Sequence, residues 1–493
     1  MNVEPMKRWQ RTAVRLLVIS CGAAGTVADA EPLITLQEAQ GQEKLKVELL
    51  RLEGDTALLR RADGMEFSTP LAYLAPASRT EIRETWAGHR AMLDKTLGPL
   101  NKAIGHELFA SHGNIWNEAV KDVAARLGLP RESETPFTSS YRLYAGDSHV
   151  FAGAKPKTVV AYGDHLGRTL SISVVYSNKG DSLSTVGAGE DHFVQNGKEV
   201  DRSTLEGAMV YDEEMISRTL EAVLGKPVMQ RMLGQGNRSH PVRRWDWNGH
   251  SFLLSHLPGE YVGLQVVRAD FADGGGRFAR VSDAEMRERL RNSVVRETQG
   301  DVFIKNIPMV DQGPKGYCAP ATFERAMRHA GVAADMYLLA TLATDGGGGT
   351  NTGQLYEEVA FTTRSKGGRT ARQIELRSLA PSKLRRYIDK GVPIMWEMCS
   401  LEAYNDIANT RTLERANTPD IQAYAAKIAA EARKNLPRLQ AKENYHLCMI
   451  IGYNETTGEI AVSDSWGEHY TIRWIHMDEA EAVSSGGGYV IDI

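Results

Sequence analysis

Three side chains limit the possible folds of this chain: a thiol, an imidazole and a carboxylate. They lie far apart in the sequence, but they can react together only if the fold brings them into contact. Cys318, His446 and Asp464 occur in that order, and Gln312 precedes the thiol by six residues. A thiol attacks a carbonyl group only as the thiolate, which needs a positive environment and a base to hold its proton. We therefore expect a fold that brings these side chains into one cleft, as a site for acyl transfer.

The residues that follow Cys318 have the pattern of a helix. The segment 321–330 has helical apolar spacing and is followed by Gly331, and Pro320 is tolerated only in a first helical turn. Cys318 would then lie at the positive end of that helix, which favours the thiolate. The oxyanion of a tetrahedral intermediate needs two donors, and we predict the backbone N–H of Cys318 and the side-chain amide of Gln312.

Two apolar runs on either side of residues 454–458 predict a hairpin that carries the base. Partners across an antiparallel hairpin have residue numbers with a constant sum. The registers expected for this turn have an even sum, which puts His446 and Asp464 on one face with their Cβ atoms roughly 4.5 to 8 Å apart. Trp466 falls on the same face and would shield their hydrogen bond from water.

These residues resemble the motifs of the papain-like cysteine peptidase superfamily. The segment from Gln312 to Cys318 resembles the one that carries its oxyanion glutamine and its nucleophile. Asp464-Ser-Trp-Gly467 resembles its Asn-Ser-Trp-Gly, with Asp in place of Asn. Cys318-Ala-Pro-Ala321 is similar to the Cys-Gly-Pro-Ala of the bacteriocin-processing (double-glycine) peptidases, which also have Asp as the third member.

The resemblance covers residues 298–493 and implies a papain-like domain, built from a helix and an antiparallel sheet. It implies a peptide or protein substrate and no cofactor. Ala319 after the nucleophile and an insertion before the histidine depart from the family pattern, so the substrate preference stays open. The implied roles are nucleophile for Cys318, general base and acid for His446, orienting residue for Asp464 and oxyanion donor for Gln312.

Two other functions remain open at this point. A transglutaminase-like acyltransferase also has Cys, His and Asp in this order, although Gln312 and Trp466 favour the peptidase. A non-catalytic envelope-binding protein would keep the thiol site only as a remnant. Labelling of Cys318 by a thiol-directed peptide electrophile would separate this third function from the first two.

The first 30 residues have the pattern of a secretory signal peptide. A basic region at 6–11 precedes an apolar run at 16–27, and Ala28-Asp-Ala30 has the small residues of a cleavage site. The run is too short to span a membrane. We therefore expect a secreted or periplasmic protein. A lipoprotein signal ending at Cys21 is disfavoured, because only residues 16–20 would form its apolar part.

Charge and cysteine content set further limits. The net charge of −4 does not favour binding to nucleic acids, whose phosphates are also negatively charged. No later run is apolar enough to cross a bilayer, and no metal-binding motif is present, so we expect neither a membrane span nor a metal. Without Cys21, three of the four cysteines remain. Cys399 and Cys448 are compatible either with a disulfide or with two buried thiols.

Residues 31–88 predict a small β domain. Strand-like runs at 45–54, 56–64 and 66–71 are separated by Gly-Asp and Asp-Gly turns. The region resembles the SH3-like homology domain of an actin-patch adaptor, which implies a binding module or envelope tether. A structural prodomain is the simpler interpretation.

Residues 95–297 predict a central α/β-type domain with two copies of a unit of one helix and three strands. It has no phosphate loop and no metal-ligand spacing, so a propeptide and a substrate-presenting domain both remain open. The predicted elements are a helix at 117–127 with strands at 140–144, 158–162 and 170–176, then a helix at 213–224 with strands at 242–247, 251–256 and 261–268.

Two further segments lie in the region of the resemblance, residues 298–493. The glycines at 346–349 lack the Lys-Ser/Thr of a phosphate loop, so we interpret them as a loop that caps a helix from Gln354. Residues 400–444 are charged and helical in pattern. A solvated helical insertion is the simpler interpretation, and a roof over the active site is the alternative. The whole chain is expected to be an α+β protein.

Overall fold

The computed structural model describes residues 33–39, 44–61, 65–146, 148–179, 204–229, 242–273, 281–313, 317–341, 344–345, 349–418 and 420–493. These residues form antiparallel sheets with helices packed against them, so the predicted α+β class is confirmed. The predicted signal peptide, residues 1–30, lies outside the described residues. Among the helices described, none is both long and apolar enough to cross a lipid bilayer.

A four-stranded antiparallel sheet opens the described chain. The three predicted runs form the second, third and fourth strands of this sheet, and its first strand was not predicted. Alternate residues of the sheet, including Val47, Leu49 and Leu59, share a core with Ile82 of the following helix. In sheet order the strands are β1 (Leu33–Gln37), β2 (Lys44–Glu53), β3 (Thr56–Arg61) and β4 (Glu66–Pro70). The resemblance to an SH3-like domain stays a prediction.

One long helix joins this sheet to the next part of the chain. Helix α1 (Pro76–Ile104) runs through residues 89–94, which the predicted domain boundaries had left between two domains. Ile82 near its start packs in the first core, and Leu100 near its end packs in the second. The helix ends at Gly105, whose positive φ of 87° suits glycine.

The second sheet has eight antiparallel strands and is called the central sheet below. Its order is β5-β6-β7-β8-β12-β11-β10-β9, so its two halves meet where β8 pairs with β12. Each half contains the three predicted strands and a fourth, β5 or β9, that the sequence analysis missed. The bounds are α2 (Val120–Arg126), β5 (Arg131–Glu134), β6 (Ser139–Tyr144), β7 (Thr158–Gly163), β8 (Thr169–Asn178), α3 (Leu205–Leu224), β9 (Val228–Met229), β10 (Val242–Trp247), β11 (His250–Leu257), β12 (Tyr261–Arg268) and α4 (Ala269–Asp273).

Both faces of the central sheet are covered. Neighbouring residues of a strand point to opposite faces, and in β8 the side chain of Val174 joins a core with α1, α2 and α3. Val175 on the other face packs instead with Val310 and Tyr317, which lie beside the predicted catalytic residues. The first half of the central sheet therefore abuts the region around Cys318.

The third sheet contains the predicted histidine and aspartate. Its main order is β13-β14-β19-β18-β22-β17, with β20 paired to β19 and β21 paired to β20. The strands are β13 (Val294–Arg296), β14 (Asp301–Ile304), β17 (Thr370–Glu375), β18 (Ile394–Cys399), β19 (Tyr445–Asn454), β20 (Glu459–Ser463), β21 (Arg473–His476) and β22 (Ser484–Asp492), while β15 (Thr344–Asp345) and β16 (Gly349–Thr350) form a separate pair.

Eight helices in the described residues pack around this third sheet or lie in its connections. They are α5 (Asp283–Asn292), α6 (Cys318–His329), α7 (Met336–Thr341), α8 (Thr352–Thr362), α9 (Pro381–Ile388), α10 (Glu402–Arg415), α11 (Ile421–Asn435) and α12 (Met477–Val483). Helix α8 begins close to the predicted Gln354, and Asn351 caps it by accepting a hydrogen bond from the Gln354 N–H. Residues 346–348 of the glycine-rich loop lie outside the described residues.

The third sheet includes residues that precede residue 298, the predicted start of the last domain. Strand β13 ends at Arg296 but pairs with β14 in the third sheet. Met286 and Leu290 of α5 pack in the core of that sheet, so α5 and β13 belong with it. The sequence pattern did not indicate that α5 belongs with the third sheet, because α5 is a short helix with mostly charged residues. Its two buried side chains pack against residues that lie far along the chain.

The predicted even register of the β19–β20 hairpin is wrong next to the turn. Asn454 pairs with Glu459 and Tyr453 with Ile460, so the residue numbers have an odd sum there. A β-bulge at Ile451 then shifts the pairing, and Ile450 faces Val462 with an even sum. A bulge adds one residue to one strand and so exchanges the two faces. Beyond it the strands have the register that brings His446 and Asp464 together.

The three cysteines among the described residues are free. Cys399 pairs with Tyr445 and Cys448 pairs with Trp396 across the same two strands, so the two thiols are not cross-strand partners. Of the two alternatives that the sequence left open, the structure has two buried thiols rather than a disulfide.

Candidate active site

Cys318 is the first residue of α6, and its side chain is half-buried. The two residues that predicted the ends of this helix lie where they were expected. Pro320 is in the first turn, and Gly331 follows the last turn with a φ of 74°. Burial raises the pKa of the Cys318 thiol, but the hydrogen bond with His446 and its charge outweigh burial and lower the pKa below its usual value. The backbone N–H groups of Leu447 and Ala319 make a smaller contribution that also lowers the pKa of the Cys318 thiol.

His446 links the thiol to the carboxylate. Its Nε2 lies 3.0 Å from Oδ1 of Asp464, which leaves Nδ1 to face the thiol of Cys318. Burial lowers the pKa of His446, but the hydrogen bonds with Asp464 and Cys318 outweigh it and raise the pKa to about 9. A thiol pKa that is lowered and an imidazole pKa that is raised favour a thiolate–imidazolium pair near neutral pH.

Asp464 is held on both sides. While Oδ1 faces His446, Oδ2 accepts hydrogen bonds from Nη2 of Arg473 at 2.6 Å and from its Nε at 3.2 Å. Burial raises the pKa of Asp464, but the hydrogen bond to His446 and the charge of Arg473 outweigh burial and lower the pKa. The carboxylate therefore stays ionised, as an orienting residue for an imidazolium requires.

Arg473 was not among the site residues that the sequence predicts. The signal for it is a single guanidinium in the apolar strand β21, where an inward-facing charge needs a buried partner of opposite sign. Such a signal marks a buried ion pair but does not identify the partner. Only the pairing of β20 with β21 places Arg473 beside the carboxylate that follows β20.

The insertion at 400–444 reaches this site through Arg473. Nη1 of Arg473 donates to Oδ1 of Asn405 at 3.0 Å and to Oδ1 of Asn409 at 3.1 Å, and both asparagines belong to α10. Tyr404 and Arg411 of the same helix are buried. The interpretation of α10 as a solvated helix is therefore wrong, because one of its faces packs on β21 and supports the arginine that holds Asp464.

Trp466 covers the histidine. Its ring stacks on the imidazole of His446 with the centroids 4.8 Å apart and the planes inclined by 28°. The guanidinium of Arg473 lies over the same indole, 5.3 Å from the ring centroid. The indole therefore keeps water from the hydrogen bond between His446 and Asp464, in the place that the sequence predicts.

Gln312 is tied to the segment that follows Asp464. Its backbone N–H donates to the Ser465 carbonyl at 2.8 Å, and the Ser465 hydroxyl donates to Oε1 of Gln312 at the same distance. The second bond fixes the side-chain amide of Gln312 through its oxygen. Ser465 belongs to the Asp464-Ser-Trp-Gly467 motif, but the motif by itself predicts no role for it.

Within the described residues, His446, Cys448 and Asp464 form a group whose potential metal-ligand atoms lie within 4.8 Å of one another. Two features oppose a cation there. Burial raises the pKa of the Cys448 thiol well above its usual value, so the thiol stays protonated, and Arg473 already provides a positive charge to Asp464. The group is better suited to holding a proton between His446 and Asp464.

Comparison with known protein families supports the relationship that the motifs suggest. Residues 304–484 match the Peptidase_C39 like family, and this stretch contains Gln312, Cys318, His446 and Asp464. The region is thus related to the C39 cysteine peptidases of the papain-like group. Among curated proteins, none matches the chain in sequence.

Proposed function

We propose that the chain is a cysteine peptidase that hydrolyses peptide bonds, with Cys318 as nucleophile, His446 as general acid and base, Asp464 as orienting residue and Gln312 as oxyanion donor. The observation that carries the proposal is the hydrogen-bonded series from the Cys318 thiol through His446 to Asp464, at the N-terminus of a helix. The relationship to the C39 peptidases supports the same reaction class.

The reaction begins when the Cys318 thiolate attacks the carbonyl carbon of the scissile peptide bond. The carbonyl oxygen takes the negative charge, and the backbone N–H of Cys318 and the amide of Gln312 stabilise this oxyanion. His446 then gives its proton to the leaving amine as the carbon–nitrogen bond breaks, and a thioester remains on Cys318.

Hydrolysis of the thioester completes the cycle. His446, now neutral, takes a proton from a water molecule, and the resulting hydroxide attacks the thioester carbonyl. Collapse of the second tetrahedral intermediate breaks the carbon–sulfur bond and releases the carboxylic acid, and the thiolate–imidazolium pair is restored. Asp464 keeps the imidazole in the orientation that both steps need.

The proposal is tested by a proteome-wide cleavage profile of wild-type protein against Cys318→Ala. New peptide termini that depend on Cys318 would support a peptidase and would also define its substrate preference. Incorporation of amines into glutamine side chains without cleavage would contradict the peptidase and favour a transglutaminase-like acyltransferase. Absence of labelling by a peptidyl electrophile would favour a non-catalytic protein.

We also propose that the protein is exported, on the basis of the signal-peptide pattern in residues 1–30. N-terminal sequencing of the protein recovered outside the cytoplasm of its own host should find a chain that begins at residue 31. A mature chain that still begins at Met1, found in the cytoplasm, would contradict export.

We propose further that the central region consists of two repeats. Each half has a helix followed by four antiparallel strands, and the halves meet at β8 and β12, which supports a duplication. Superposition of α2–β8 on α3–β12 tests this directly, since repeats should match strand for strand.

We also propose that the small N-terminal β region is a separate module, which acts either as a tether or as a structural element.

A further inference from the structure

The central sheet binds the backbone immediately before Gln312. The N–H of Met309 donates to the Ser133 hydroxyl at 3.0 Å, and the N–H of Asp311 donates to Oε1 of Glu132 at 3.3 Å. The Tyr144 hydroxyl donates to the Asp311 carbonyl oxygen. Residues of β5 and β6 thus contact both polar backbone groups of Asp311, the residue that precedes the oxyanion glutamine.

These contacts fix the peptide planes on both sides of Asp311. The next backbone N–H, that of Gln312, is held by the Ser465 carbonyl, and Gly313 follows with a φ of 65°. The position of the Gln312 amide therefore depends on two supports. One is Ser465, in the loop that follows β20, and the other is Tyr144 with Glu132 from the central sheet. An oxyanion donor has to be placed before the charge develops, so loss of either support should affect the reaction.

The rest of the interface contains buried ion pairs and hydrogen bonds. Arg142 of β6 donates from Nη2 to both oxygens of Glu324 on α6, at 2.9 and 3.0 Å, and both side chains are fully buried. The Tyr162 hydroxyl lies 3.1 Å from Glu324 and 3.0 Å from Asp335. Removing the central sheet would leave Glu324 and Asp335 without these partners, at a high cost in free energy.

Apolar contacts extend the interface to the residue before the nucleophile. Tyr317, the residue before Cys318, packs in one cluster with Val175 of β8 and Val310. The central sheet therefore contacts the residues that precede both Gln312 and Cys318.

We infer that the central sheet is a permanent part of the working enzyme, in which Tyr144 and Glu132 are positioning residues for the oxyanion donor Gln312. This inference rests on the proposed peptidase function. It selects between the two roles that the sequence left open for residues 95–297, because a segment that supports the oxyanion donor is not removed as a propeptide.

The test compares two reactions of Cys318 in the full-length chain. Acylation by a peptide substrate passes through an oxyanion, whereas alkylation by iodoacetamide needs the thiolate but no oxyanion donor. In Tyr144→Phe and Glu132→Gln, we expect kcat for peptide hydrolysis to fall by about tenfold or more. The rate of alkylation and its pH profile should stay within about twofold of wild type, because the contacts of Cys318 with His446 are unchanged.

A matched control is Tyr176→Phe, which removes a buried hydroxyl that also donates to a backbone carbonyl, that of Phe151, away from Gln312. It should leave both reactions unchanged. An unchanged kcat in Tyr144→Phe would overturn the inference, and so would an equal loss of acylation and alkylation, since that would indicate general damage. A wild-type protein that is alkylated but never acylated would instead contradict the proposed function.

A double-variant comparison and the mass of the labelled protein also test the inference, even if one of the single variants folds poorly. In a Gln312→Ala background, Tyr144→Phe should reduce kcat no further, because both changes act on one donor. The mass of the wild-type species labelled by a peptidyl electrophile should include residues 95–297. A labelled species that lacks these residues, or an additive effect of the two substitutions, would contradict the inference.

Discussion

Arg473 binds Asp464 through two hydrogen bonds to the carboxylate oxygen that does not contact His446. The carboxylate therefore lies between a guanidinium and an imidazole, and both of its oxygens are engaged. Since Arg473 is held in turn by Asn405 and Asn409 of α10, the insertion before His446 contributes to the orientation of the histidine.

Arg473→Gln should lower both activity and stability. Both side chains of the pair are almost completely buried, so loss of the guanidinium leaves the Asp464 carboxylate with too few partners and should lower the free energy of unfolding by about 3 kcal/mol. The pKa of Asp464 should rise, and kcat/KM should fall by about tenfold to a hundredfold as the imidazole loses its orientation. Arg473→Lys, which keeps the charge, should recover part of both losses. Full activity in Arg473→Gln would show that the arginine is only structural.

The pH dependence of hydrolysis should have its upper limit at about 9. His446 must carry the proton that it gives to the leaving amine, and its pKa is raised to about 9 by the hydrogen bonds with Asp464 and Cys318, against the effect of burial. On the acid side, activity should persist below the usual thiol range, because the pKa of Cys318 is lowered. Measurement of kcat/KM against pH checks both limits. An upper limit near the usual histidine pKa would contradict the ion pair.

The same group makes stability depend on pH. His446 binds its proton more tightly in the folded protein than in the unfolded chain, so its contribution to stability is complete below about 6.5 and is lost as the pH rises through about 9. Chemical denaturation across this range should show the loss in wild type. His446→Ala should remove this part of the dependence, and an unchanged slope would argue against the raised pKa.

Asp464→Asn tests the departure from the family motif. Asparagine keeps an oxygen for the His446 N–H but loses the charge, so the pKa of His446 should fall and the upper limit of the activity profile should move to lower pH. Arg473 would remain as an unpaired buried cation, which should cost about 3 kcal/mol of stability. The double variant Asp464→Asn with Arg473→Gln should be more stable than Asp464→Asn alone. If it is less stable, Arg473 has a role apart from this pair.

Glu324 should give the interface with the central sheet its own pH dependence. Burial raises its pKa from 4.5 to about 7, against the opposing effect of Arg142 and Arg328. Because the folded protein holds this proton more tightly than the unfolded chain, the stabilising contribution is complete below about 4.5 and is lost as the pH rises through about 7. Glu324→Gln should flatten the unfolding free energy across this range.

The matched control for Glu324 is Glu118→Gln, which removes a carboxylate paired with Arg126 within the central region. Because Glu118 binds Arg126 and not α6, this variant should keep the pH dependence that Glu324 gives to the interface. Equal flattening in both variants would show that the interface with α6 is not its source.

The local elements and the residue types of the site follow from the amino-acid sequence alone. Pro320 and Gly331 mark the ends of α6, and the apolar runs around residues 454–458 form strands, because helix termini and strand alternation depend on neighbouring residues. The spacing of Gln312 and Cys318 and the Asp464-Ser-Trp-Gly467 segment carried the family relationship. None of these inferences needed a contact between distant elements.

Which distant groups come into contact depends on how the sheets and helices pack together. The bulge at Ile451 changes the register of the β19–β20 hairpin and so brings His446 and Asp464 to one face. Strand β21 places Arg473 beside Asp464. Strand β6 places Arg142 beside Glu324. All of α6 from Ala319 to His329 is buried, including charged residues that a local pattern would assign to solvent. A buried charge requires a partner of opposite sign, but the partner's place in the chain is set by sheet pairing and packing, which no local pattern encodes.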